Sequence, residues 1–77
     1  MTKEIAGMQF SDVSAEEYRI YTFPGGEKIR VDTPQYLNVS KSGGHRIIVS
    51  ENSTVYIPAG WLSVQWVNRP GTGPLQF

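Results

Sequence analysis

From Tyr18 to Val67 apolar and polar side chains alternate with a period of two, and turn-forming residues interrupt the pattern about every 8–12 positions. Period two is the repeat of a β-strand, whose successive side chains point to opposite faces. Six segments carry it: residues 18–23, 28–32, 35–40, 45–50, 54–57 and 61–67. The breaks between them hold Pro24-Gly25-Gly26, Thr33-Pro34, Lys41-Ser42-Gly43-Gly44, Glu51-Asn52-Ser53 and Pro58-Ala59-Gly60, all strong turn chemistry. Thirteen Val and Ile against six Leu and Ala reinforce the reading, because β-branched residues fit a pleated surface and the best helix formers are scarce. The pattern predicts an all-β chain, a small single-domain antiparallel barrel or sandwich of about six short strands.

The two ends read differently. Residues 1–17 hold Lys3 against Glu4, Asp12, Glu16 and Glu17, which makes them acidic, and they are expected to form an arm or an edge strand. Ser14-Ala15-Glu16-Glu17 has the spacing of a capping box, so at most one helical turn is expected near 14–17. Residues 18–68 form the antiparallel β domain. Residues 69–77 contain two Pro and two Gly and are expected to lie outside any regular element.

A chain of 77 residues buries only about 60% of its unfolded surface and needs some further staple. With no Cys, a disulfide and a thiolate-held zinc are both excluded, and the single His cannot hold a metal alone. Association is the remaining staple, so a protein partner or self-association is expected and no cofactor. Seven basic residues balance seven acidic ones, which argues against a strongly cationic nucleic-acid arm. No apolar run is long enough for a membrane helix, and the polar start lacks a secretion signal, so a cytoplasmic protein without membrane contact is expected.

The motifs that carry chemistry are few. Asn52, five residues, Pro58-Ala59-Gly60, two residues and Ser63 resemble the second motif of cupins. That resemblance implies a barrel-like ligand-binding fold in which the Pro-x-Gly bend aims the next side chain inward. Asn52 stands where the family has Gly, Ser63 where it has a metal-binding His, and His45-Arg46-Ile47 offers no His-x-His. The resemblance therefore implies a degenerate, metal-free domain. His45 is the one group that titrates near neutrality, yet no nucleophile or carboxylate is placed beside it by spacing; it reads as a surface residue at a strand start. Gly25-Gly26 and Gly43-Gly44 lack the following helix of a phosphate loop and read as hairpin turns. No catalytic residues are assigned, and an enzyme is not expected.

Strands with apolar residues on both faces are the informative feature. Tyr21 and Phe23 oppose Ile20, Ile48 opposes Ile47 and Val49, and Trp61 and Val67 oppose Leu62, Val64 and Trp66. One small sheet cannot bury both faces, and interface cores are rich in Trp, Tyr, Phe and Arg. Tyr21, Phe23, Arg46, Ile48, Trp61 and Val67 are therefore expected to form a partner-facing surface, with Trp61 and Arg46 as anchors. The leading expectation is a non-catalytic protein–protein interaction module, of the kind found among small accessory or assembly proteins of phages and prophages. The alternative is a single-stranded nucleic-acid-binding β-barrel, since Arg19, Tyr21 and Phe23 share one strand face. A cupin-like ligand-binding domain is the third.

Overall fold

The computed structural model describes residues 2–70. Eight strands make two antiparallel sheets: β1 (Thr2–Ile5), β2 (Met8–Asp12), β3 (Glu16–Thr22), β4 (Lys28–Asp32), β5 (Tyr36–Val39), β6 (His45–Ser50), β7 (Ser53–Ile57) and β8 (Ser63–Asn68). One sheet has the order β1-β2-β5-β6-β7 and the other β4-β3-β8. The two pack as an open sandwich, and neither closes into a barrel.

All six expected strands are present. The acidic arm is the main addition, because residues 2–12 fold into the hairpin β1–β2 and extend the five-stranded sheet through Ser11↔Leu37 and Asp12↔Tyr36. Its two-residue loop, Ala6-Gly7, has φ of 52° and 78°, the left-handed pair of a tight hairpin turn. Ala6 takes this conformation without the Asn or Asp that normally marks it, which is why the hairpin is hidden in the sequence. Of the expected tail, residues 71–77 lie outside the described residues.

The helical turn near 14–17 is corrected. Glu16 N–H donates to the Val13 carbonyl at 3.0 Å, closing a β-turn, and Ser14 N–H donates to Asp12 Oδ1 at 2.8 Å. The carboxylate of Asp12 satisfies the backbone that a capping box would have satisfied, and the chain enters β3 at once.

Register assigns the faces. Tyr21↔Val64 and Arg19↔Val31 place one side of β3 over the core, while Tyr18, Ile20, Arg30, Gln65 and Val67 occupy the outer side. In the five-stranded sheet, Leu37↔Ile47↔Val55 face inward, and Tyr36↔Ile48↔Thr54 and Asn38↔Arg46↔Tyr56 face outward. Tyr21 and Val31 from one sheet meet Ile47 and Ile57 from the other, with Phe23, Leu37, Val49, Val55, Trp61 and Val64 packed around them. Burial of each such large apolar side chain contributes about 1.5–3 kcal/mol. The link between the sheets after β4 is tight: Thr33 sits at φ 47°, rare for a β-branched residue, ahead of the fully buried Pro34. None of the described residues forms a helix, so none is long and apolar enough to cross a membrane.

Candidate functional site

A chain of polar side chains crosses the sandwich. A register shift in β3 between Glu16 and Tyr18 is a bulge, and it turns Glu16 to the same side as Arg19. Arg19 Nε–H and Nη2–H donate to the two Glu16 carboxylate oxygens, each at 2.8 Å, in a bidentate pair whose residues are 5% and 6% exposed. Arg19 Nη1–H donates to Tyr21 Oη at 2.9 Å. Having accepted that bond, the Tyr21 hydroxyl directs its own proton to His45 Nδ1 on the opposite sheet, 2.6 Å away. The rings of Tyr21, His45 and Trp61 pack edge to face, with centroids 4.5–5.5 Å apart.

The electrostatics agree with that proton order. Burial works to lower the Arg19 pKa, and the hydrogen bonds with Glu16 and Tyr21 outweigh it, so the guanidinium is held above its ordinary range. Burial raises the Tyr21 phenol and keeps it protonated. Burial, and then the charge of Arg19, push the His45 imidazole below its ordinary value of 6.5. His45 is thus neutral at pH 7 and accepts at Nδ1, which leaves its proton on Nε2. In these contacts each group is the partner of the next. The arrangement ties the two sheets together as a structural network.

A lowered imidazole pKa fixes the direction of a pH effect. The folded state binds the proton more weakly than the unfolded chain. Stability is therefore full above about 6.5 and is lost as pH falls from there through the depressed folded value. Urea midpoints measured from neutral to mildly acidic pH are expected to fall in that window for the native chain and to fall less for His45→Gln. Equal slopes for the two would show that another group carries the acid sensitivity.

The six residues nominated for partner contact do not share one surface. Tyr21 is fully buried at the centre of the core, which corrects its assignment to a surface. An arginine on the same strand face argued for exposure, but Glu16 neutralises Arg19 in place and the face turns inward. Arg46 and Ile48 lie on the outer face of the five-stranded sheet, where Arg46 Nη1–H donates to Asn38 Oδ1 at 2.8 Å. Val67 is on the outer face of the three-stranded sheet. Phe23 and Trp61 remain half-buried at one end of the sandwich, against the core.

That end is where apolar surface is left open. Ile29 pairs with Tyr21 and Val39 with His45, so both occupy inward-facing positions, yet they are 36% and 60% exposed. Leu62, whose N–H donates to the Thr22 carbonyl at 2.7 Å, is 72% exposed. The ends of β3, β5 and β7 and the starts of β4, β6 and β8 meet here, and Phe23, Ile29, Val39, Trp61 and Leu62 form its rim. Three of these five were missed. Their alternation assigns Ile29 and Val39 to the core, and nothing local in the sequence shows that they are left open. His45 was also misread as a surface residue, although it shares a parity with Ile47 and Val49, which marked it as inward-facing.

The outer face of the five-stranded sheet carries cation–aromatic contacts, with Lys3 5.1 Å from the Tyr36 ring centroid and Arg46 5.7 Å from that of Tyr56. The segment that resembles the cupin motif connects β7 to β8 across the two sheets. Ser63 pairs with Thr22 on the outward side of β8, so the bend does not aim it at the interior. Comparison with known protein families, with curated proteins and with solved structures finds no match for this chain.

Proposed function

We propose that the protein is a non-catalytic protein–protein interaction module that works through the apolar end of its sandwich. The observation that supports this is the exposure of Ile29, Val39 and Leu62 beside the half-buried Phe23 and Trp61. Inward-facing strand positions left open to water are the surface a partner's side chains would complete, and contiguous apolar patches rimmed by polar residues mark interaction sites. Trp61 is the natural anchor, because it is already braced by Tyr21 and His45 and gives up little freedom on binding. The reading places the chain in the cytosol, as an accessory or assembly protein of the phage or prophage kind, contacting a protein partner or a second copy of itself.

Leu62→Asp and Val39→Asp test this without touching the core. Sedimentation of the native chain, and affinity capture from a source lysate split into nuclease-treated and untreated halves, are expected to show a stoichiometric complex that resists nuclease and is lost in both variants. A complex unchanged by both substitutions would overturn the assignment of this surface. A single-stranded nucleic-acid binder is the second reading, favoured by the Lys3–Tyr36 and Arg46–Tyr56 pairs on the other face. It requires binding that vanishes with nuclease and weakens steeply with salt, with a further loss in Arg46→Ala.

A further inference from the structure

Four strands stand at sheet edges, β1 and β7 in the larger sheet and β4 and β8 in the smaller. An edge presents a row of N–H and C=O groups that another strand can join, and native proteins guard it with charge, Pro or a bulge. Lys3 and Glu4 guard β1, and Lys28, Arg30 and Asp32 guard β4. Strand β7 has no such guard. It lies in a run of seventeen residues, Asn52 to Asn68, that holds none of the chain's seven basic or seven acidic side chains. Its five residues include no Pro, and the irregularity in its pairing lies in β6, where Val49 is the extra residue. Among the described residues, no backbone hydrogen bond reaches Ser53–Ile57 from outside the β6–β7 ladder. The Tyr56 ring leans over Gly44 at the start of β6, where its hydroxyl would collide with any Cβ, and so turns away from the open edge. Strand β8 shares the uncharged run but leads on towards residues 71–77, whereas β7 is described on both flanks.

We propose that β7 pairs antiparallel with β7 of a second copy of this chain, joining two five-stranded sheets into one of ten strands. The strand is complementary to itself. With Val55 facing Val55 of the other copy across a two-fold axis, Thr54 faces Tyr56 and Ser53 faces Ile57. Each pair keeps its side, Val55 and Ile57 on the core face and Thr54 and Tyr56 on the outer face. Tyr against Thr is a favourable aromatic to β-branched cross-strand pair. Pro58 has no N–H and ends the ladder at Ile57, and a slip of two residues would leave only three of the five pairs. Like charges stay apart, since Glu51 stands four positions before Val55 and the two copies hold theirs about 26 Å from each other. Five residues a side is far below the roughly 20–30 of a standard interface, so the pairing is weak and depends on concentration. It uses neither Trp61 nor Leu62 and does not rest on the reading of the apolar end.

The test is sedimentation equilibrium of the full chain from about 10 µM to about 1 mM, with amide NMR followed on dilution. A monomer–dimer equilibrium is expected with a midpoint above about 100 µM, its dilution shifts concentrated in residues 53–57. It should persist in Leu62→Asp, which disables the apolar end. Thr54→Lys with Tyr56→Lys, and Thr54→Glu with Tyr56→Glu, set like charges directly across the axis. Both side chains are exposed in the monomer, so each double variant should fold and stay monomeric. Mixed together, the two should dimerise again, because every charge then faces its opposite. A native chain that is monomeric throughout, dilution shifts centred on Val39 and Leu62, double variants that dimerise unmixed, or a mixture that stays monomeric would overturn the proposal.

Discussion

Glu16→Gln is expected to lower the unfolding free energy by about 3–5 kcal/mol, because it strands the Arg19 guanidinium in the interior without its counter-charge and with one of its three acceptors gone. Domains hold roughly 0.05–0.15 kcal/mol per residue, so for 77 residues this is a large share of everything available. The cost comes from the uncompensated charge, not from the pair's net worth. Removing both charges tests that distinction. In Glu16→Leu with Arg19→Met, Tyr21 still donates to His45 and no buried ion remains, so the double variant should recover most of the loss. Urea unfolding of Glu16→Leu, Arg19→Met and the double variant closes the cycle. Additive losses would mean that the two residues act separately and that the bidentate geometry carries no coupling.

Tyr21 carries the second large effect, and its two halves separate cleanly. Tyr21→Phe keeps the ring against Trp61 and His45 but leaves one Arg19 N–H and His45 Nδ1 without their partner, at a cost of about 1–3 kcal/mol. Tyr21→Ala also empties the centre of the core, where large aromatic truncations cost about 3–5 kcal/mol before the polar loss is added. Chemical denaturation of both variants gives the partition. A Tyr21→Phe variant as stable as the native chain would show that the hydroxyl contributes nothing to holding the sheets together.

The strands were legible because alternation is local. Ile29 and Val31 against Lys28, Arg30 and Asp32, or Ile47 and Val49 against Arg46 and Ile48, declare both the element and its two faces. Which face is the core is a tertiary fact, and it was misjudged for β3. Arg19 on the Tyr21 face looked like a mark of solvent, and only the bulge that turns Glu16 towards it makes burial affordable. The β1–β2 hairpin was illegible for a different reason. Thr2–Ile5 holds a single large apolar residue, and Ala6 stands in a left-handed turn position with no side-chain signature. The apolar rim lay beyond sequence reasoning because alternation tells which side of a strand a residue takes and not how fully the opposite sheet covers it.

The position of β3 between β4 and β8 governs how the molecule is assembled in time. Its pairing with β4 closes across one short turn, but its other edge waits for residues that follow roughly forty positions later, a long and slow closure. Strand β8 is translated after the other seven. A nascent chain that stops short of Ser63 therefore displays β3 with one edge unpaired, Arg19 without the Trp66 ring beside it and Tyr21 without Val64, next to a five-stranded sheet whose strands are already made. Released chains that end before Ser63 and chains that end after Asn68 should differ sharply in protease resistance. The interval between them is when this small protein is most exposed to aggregation.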